Sequence, residues 1–251
     1  MLENRVIPCL QLLGTNLVKT VKFGKYTYIG DPLNTCRIFN ELEVDEMVLL
    51  DIRATVTHKQ PNFEYLRRMA SECFMPLAYG GGIKSIEEVR KLFYIGFEKV
   101  IINSALYENI DLVSRIADLY GSQSVVASVD VKRSILGRYK VYSHSGQKQE
   151  KVELYEWLRS LEAAGAGEIL LTNISLEGTW QGFDIELVKS VSNMLSIPLI
   201  IHGGAGSKKD VEDAVNMGGA SAVGLGSMVV FQHKDMGVLV NYPHGYCFYR
   251  Q

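Results

Sequence analysis

The chain has 251 residues, of which 47% are hydrophobic and 22% charged, so it holds enough apolar material for one large core and too little net charge for a disordered protein. A formal net charge of -2 supplies no general basic field, which argues against nucleic acid as the main partner. Cys9, Cys36, Cys73 and Cys247 are scattered without a C-x-x-C pair, no apolar run reaches membrane-spanning length, and MLENRVIPC leads straight into a strand pattern. These features predict a reduced, cytoplasmic protein with no signal peptide, no membrane association, no metal and no cofactor.

Short apolar runs rich in β-branched residues recur along the chain at 5–10, 46–52, 75–79, 99–103, 124–130, 168–173, 197–202 and 220–226. They are continuously hydrophobic, as strands covered on both faces are. Helical spacing fills the intervals. Asp31 and Pro32 open the first helix with an N-cap and a proline in the first turn, and Ser85 to Glu88 and Ser207 to Asp210 open two more as capping boxes. Eight β-then-α units predict a single-domain α/β protein over residues 1–251, a (β/α)8 TIM barrel.

The chain also aligns with itself. PLAYGGGIKS from Pro76 returns as PLIIHGGAGS from Pro198, an offset of 122 residues. At that offset Gly81 and Gly82 fall on Gly203 and Gly204, Ser85 on Ser207, Val89 on Val211 and Glu46 on Glu168, while MVLLDI falls on ILLTNI. An open doubly wound sheet has no reason to repeat at half length. A closed barrel of two half-barrels, roughly residues 1–120 and 121–251, does.

Chemistry in such a barrel sits where the strands end. Gly80, Gly81 and Gly82 close the third strand, and His202, Gly203 and Gly204 the seventh. Glycines there let backbone N–H groups approach an anion, and the helices opened by Ser85 and Ser207 point positive ends the same way. The strand following each loop ends in small residues, Asn103 and Ser104 in one half and Gly226 and Ser227 in the other. The pairing predicts two phosphate cradles facing each other across the mouth, and an elongated phosphorylated small molecule as ligand.

RVIPCL, GDP at Gly30–Pro32, ELEVDEMVLLDI, YGGGIKS, EKVIINSA, GSQSVVASVD, GAGEILLTNI, GTWQGFD and HGGAGS together resemble the HisF family, the cyclase subunit of imidazole glycerol phosphate synthase, over nearly the whole chain. That resemblance implies a heterodimer with a HisH-type glutaminase, whose ammonia is used on a substrate with a phosphate at each end. It implies catalysis by two strand-end aspartates. Asp130 occupies the fifth-strand position, but Gln11 stands at the first, and an amide exchanges no proton in the useful pH range. Lys19, whose family equivalent handles substrate in a mobile first loop, is kept, and Thr172 falls among the substrate contacts. The D-R-D-G-T loop of the family reads Ser175-Leu176-Glu177-Gly178-Thr179, leaving Glu177 as its acid, and the usual serine before the seventh-strand glycines is His202, readable as a proton carrier or as a structural histidine.

Arg5, Glu46, Lys99 and Glu168 each begin a strand, so they ring the barrel's other end with alternating charge. They match the family's charged gate for ammonia. Three readings follow. One is a diverged HisF-like subunit passing ammonia to another phosphorylated acceptor, as in HisF-like and HisH-like pairs that serve a sugar amidotransferase making acetamidino groups on nucleotide-linked sugars for surface polysaccharide. The second is a histidine-pathway cyclase that tolerates Gln11. The third is a catalytically silent ammonia conduit.

Overall fold

The computed structural model describes residues 4–242; Cys247 and the closing HGYCFYR segment lie outside them. In chain order the elements are β1 (Arg5–Leu13), β2 (Asn16–Thr20), β3 (Tyr26–Gly30), α1 (Pro32–Glu41), β4 (Met47–Asp51), α2 (Phe63–Ala70), β5 (Leu77–Gly80), α3 (Ile86–Ile95), β6 (Lys99–Ile102) and α4 (Asp111–Tyr120). There follow β7 (Val125–Arg133), β8 (Tyr139–Ser143), β9 (Lys148–Gln149), α5 (Leu154–Ala163), β10 (Glu168–Asn173), α6 (Ile185–Ser192), β11 (Leu199–His202), α7 (Lys208–Asn216), β12 (Ala222–Leu225) and α8 (Ser227–Val230).

Eight of the strands close on themselves. The parallel order β1-β4-β5-β6-β7-β10-β11-β12 returns to β1 through the pairing of Arg5 with Ala222 and Pro8 with Leu225. This is the (β/α)8 barrel that the repeat predicts, and it has two apolar layers. Ile7, Val48, Ile101, Val126, Leu170 and Ile200 fill the barrel interior, while the alternate residues, such as Leu49, Tyr79 and Leu171, pack outward against the helices. Both faces of each strand are therefore buried, which explains the lack of alternation in the sequence.

The helix starts follow local chemistry. Asp31 caps α1 by accepting from Asn34 N at 2.9 Å, with Pro32 in the first turn. At α3 the capping box closes: Ser85 Oγ accepts from Glu88 N, and Glu88 Oε2 accepts from Ser85 N at 3.0 Å. At α7 only half of it forms. Ser207 accepts from Asp210 N, but the Asp210 carboxylate, one methylene shorter than glutamate, turns to Gly206 N at 3.0 Å instead.

Two strands outrun the predicted ends. β1 continues to Leu13 and folds back through β2 and β3, with Gly14 at φ +63° in the tight turn. β7 continues to Arg133 and forms an antiparallel hairpin with β8, which pairs in turn with β9. Both additions rise over the mouth. Beyond Phe231 the described chain makes no further helix: it turns back, with Phe231 bridged to Val238 and Tyr242 Oη donating to Val6 O at 2.9 Å.

Candidate active site

β7 lifts Asp130 to the mouth, where it faces a cavity of about 460 Å³ that is also lined by Gln11, Gly81, Gly82, Asn103, Ser104, Thr172 and His202. Asn103 Nδ2, from the end of β6, donates to Asp130 Oδ2 at 3.0 Å. The Asp130 carboxyl is buried. Burial raises its pKa from the ordinary 3.8 to about 7, against hydrogen bonds from Asn103 and Thr172 and the charge of Lys132, which pull the other way. Asp130 is thereby poised to hold or release a proton near neutral pH.

Gln11 is built into the wall. Its Oε1 accepts from Thr20 N at 2.9 Å and from Thr20 Oγ1 at 3.1 Å, and its Nε2 donates to Glu177 Oε1 at 3.3 Å. The amide thus pins the returning strand β2 to β1 and to the loop after β10. It carries no exchangeable charge toward Asp130.

Glu177, expected from the family pattern as a substrate contact, is turned into the protein. It is fully buried, accepts from Thr20 Oγ1 at 3.2 Å and Phe23 N at 3.4 Å, and is in direct ionic contact with Lys19 Nζ. An acid there can anchor the first hairpin, whereas it would repel a phosphate. Burial lowers the Lys19 pKa from the ordinary 10.5 to about 7, while its Nζ lies in direct ionic contact with the Glu177 carboxylate. Lys19 Nζ also donates to Thr20 O at 2.9 Å.

The two glycine cradles are consequently unequal. Around Gly203, Gly204, Gly226 and Ser227, with Lys19, Glu177 and His202, only a void of about 10 Å³ remains, because the Lys19 stem lies against Gly226. The cradle of Gly81 and Gly82 opens into the large cavity. Both residues have positive φ, +126° and +72°, and a Cβ would come within 2.6 Å of Asp51 O at the first and 2.6 Å of Lys59 O at the second. Only glycine fits there. Asn103 Oδ1, beside this cradle, is buried with no hydrogen-bond partner, and Ser104 Oγ accepts from His144 N at 3.0 Å.

His202 is buried at the mouth beside Thr172 and Lys19. Burial and the nearby Lys19 charge lower its pKa to about 3, so the ring is neutral at physiological pH, with Nδ1 at 3.3 Å from Thr172 Oγ1. A ring held neutral in this way supports the structural reading of His202 over the proton-carrier one.

At the opposite end, the four charged strand starts close a ring. Arg5 reaches Glu46 at 2.6 Å and Glu168 at 2.9 Å, and Lys99 reaches Glu46 and Glu168 at 2.9 Å each. Burial works against these charges, yet Arg5 and Lys99 keep the Glu168 pKa low, and Glu168 and Glu46 keep that of Arg5 high. Directly above the ring lies the apolar barrel interior, and above that the cavity with Asp130. The three layers share the barrel axis.

Other cavity-lining residues went unread in the sequence. Asp51 closes β4 and accepts from Arg53 N and Ala54 N at 2.9 Å each, folding the next loop so that Arg53 lines the cavity near Gly81. Its position 122 residues before Asn173, inside the repeat, was the available signal. Phe23, Tyr26 and Ser145 come from the two added hairpins, and Ser145 Oγ bridges the mouth to Ile52 O at 2.6 Å. Among the described residues no cluster of His, Cys, Asp and Glu is placed to hold a metal ion, and no helix is long and apolar enough to cross a membrane.

Comparison with known proteins adds an independent line. A family model described as histidine biosynthesis protein matches residues 5–235. A Pseudomonas aeruginosa protein provisionally named imidazole glycerol phosphate synthase subunit hisF2 is 47% identical over 243 residues, 97% of each chain. A Leptospira borgpetersenii protein, with the same provisional subunit name HisF, is 42% identical over 98% of this chain and 97% of its own. A Vibrio vulnificus relative, named in the same way as subunit hisF3, is 40% identical over 97% of this chain and 94% of its own.

Proposed function

The chain belongs to the histidine biosynthesis protein family as a HisF-like barrel, and on that premise we propose that it receives ammonia from a HisH-type glutaminase and directs it to a phosphorylated acceptor other than the histidine-pathway substrate. The observation that carries this reading is the reacting centre. Asp130 is the titratable carboxyl raised toward neutrality in the cavity, while the opposing position is an amide already committed to Thr20 and Glu177. A cyclisation that needs a carboxyl on each side lacks one of them.

The rest follows the barrel axis. Ammonia would enter where Arg5, Glu46, Lys99 and Glu168 hold one another, a ring whose charges can be re-paired in pairs without leaving any of them bare. As a small neutral molecule it would cross the apolar layer of Ile7, Val48 and Leu170, which ions would not. In the cavity its N–H groups would find Asn103 Oδ1, a buried acceptor otherwise unfilled, and Asp130 would take the proton released as the nitrogen attacks. Gly81 and Gly82, with Arg53 and the start of α3, would hold the acceptor's phosphate.

For the acceptor, we favour a nucleotide-linked sugar whose acetamido group becomes acetamidino, the incoming nitrogen displacing the carbonyl oxygen after a sugar amidotransferase, as third partner, has activated that oxygen with a nucleoside triphosphate. The departures at Gln11 and at Ser175 to Thr179 support this branch. The relatives' names favour the second reading, a histidine-pathway cyclase. Glutamine labelled with 15N at its amide, supplied with the glutaminase, the barrel and both candidate acceptor systems, separates the two. Label in an acetamidino sugar is expected; label in imidazole glycerol phosphate would overturn the proposal.

A further inference from the structure

Cys36 and Cys73 belong to neither end of the barrel axis, yet the fold brings their thiols together. Cys36 lies in α1 and Cys73 in the turn after α2. The residues beside them are fastened pairwise: Arg37 Nε and Nη2 meet the two Glu72 oxygens at 2.7 Å each, and Phe74 N donates to Asn40 Oδ1 at 2.9 Å. Those contacts hold the turn against α1 on both sides of Cys73. Within that clamp the two thiols lie close enough for each to shift the other's ionisation.

The environments differ in a useful way. Cys36 is completely buried, whereas Cys73 is partly exposed. Cys36 as a neighbouring thiol lowers the Cys73 pKa, against the opposing effects of burial and of Glu72. One thiol is therefore reachable, with its thiolate stabilised by its neighbour; the other waits behind it, shielded from solvent. That is the arrangement of an attacking and a resolving cysteine.

We propose that Cys36 and Cys73 form a reversible oxidation site that closes to a disulfide when the protein meets a peroxide. The Cys73 thiolate attacks one peroxide oxygen, the O–O bond breaks, and the departing hydroxide takes up a proton to become water. Cys36 then attacks the resulting sulfenic sulfur, gives up its proton, and expels a second water. Two thiols and one hydrogen peroxide become one disulfide and two waters, and a cellular dithiol reverses the step.

The bond would tie α1 to the chain entering β5. Met47 N donates to Pro76 O at 3.0 Å, so this turn adjoins Glu46 and the charged ring. Oxidation would thus register on the end of the barrel where ammonia is proposed to enter.

The test uses the whole protein, reduced and then exposed to hydrogen peroxide, quenched in acid, alkylated in denaturant and digested. The expected product is a linked pair of peptides holding Cys36 and Cys73, lost on dithiothreitol treatment, with Cys9 still alkylated. In Cys36→Ser, Cys73 should stop at the sulfenic acid and be trapped by dimedone. In Cys73→Ser, Cys36 should oxidise at least tenfold more slowly than Cys73 does in the wild type. A Cys73 that pairs instead with Cys247 or with another copy, or that runs to the sulfinic acid in the wild type with no link to Cys36, would overturn the proposal.

Discussion

Replacing Asp130 by Asn should make the protein less active and more stable at once. The carboxyl's pKa is 3.8 in ordinary surroundings and about 7 in the fold. Below 3.8 it is protonated in both states and imposes no penalty. As pH rises, the unfolded chain ionises first while the folded one keeps its proton, so stability is lost progressively and levels off above about 7. The gap corresponds to a penalty on the order of 4 kcal/mol at pH 8. Asparagine keeps the shape and escapes the charge, but it must also satisfy an amide donor beside Asn103, so a net gain of roughly 1–3 kcal/mol is expected. For a chain of this size that is a rise in melting temperature of about 3–10 °C at pH 8. Melting curves of both proteins between pH 4 and 8 provide the assay, and the variant's advantage should vanish and reverse toward pH 4, where the carboxyl's penalty falls below the cost of the added amide donor. A variant less stable than the wild type at pH 8, or a difference that does not change with pH, would refute the placement of a strained acid at the mouth. Ammonium-driven transfer should fall about 10²–10⁴-fold in the same variant, the range typical of a lost general base.

Further outcomes follow from the same contacts. Lys99→Glu puts a third carboxylate beside Glu46 and Glu168; glutamine-driven activity should fall several-fold with ammonium-driven activity kept, and equal loss of both would count against the ring as entrance. Glu177→Gln leaves the buried Lys19 ammonium without its partner and should cost about 3–5 kcal/mol in denaturant unfolding. Gly81→Ala forces a Cβ to within 2.6 Å of Asp51 O, so affinity for inorganic phosphate, measured by calorimetry, should drop at least tenfold. Gln11→Asp swaps two accepted hydrogen bonds and one donated bond for a charge facing Glu177, and should destabilise the protein by about 1–3 kcal/mol without restoring cyclisation; recovered cyclase turnover would favour the histidine-pathway reading.

The barrel was legible because its signals are local and repeated. Continuous apolar strands, the Ser85 box and the glycine trio at Gly80–Gly82 each have one physical meaning, and the offset of 122 residues states it twice. The charged ring was legible for a related reason: Arg5, Lys99 and Glu168 begin strands, Glu46 immediately precedes one, and strand starts share one end of a barrel. What the sequence hid was long-range. Nothing near Lys19 says that its stem will fill the second cradle, since its partner Glu177 is 158 positions away in the chain. Nor does His202 announce that burial will keep it neutral. The hairpins of β2–β3 and β8–β9 are hard to read because each places only a few residues in the core, Leu17, Ile29 and Val141 among them, within strands otherwise rich in polar side chains and tyrosine.

The distinction between a kept scaffold and a changed reacting centre can be put to one direct measurement. Purified barrel, ammonium salt and the phosphorylated histidine-pathway intermediate, followed for release of imidazole glycerol phosphate, should give no cyclisation beyond the protein-free background, because Gln11 offers no second proton carrier opposite Asp130. Release at a rate typical of enzymes, on the order of 1 per second or faster, would contradict that and return the chain to histidine biosynthesis.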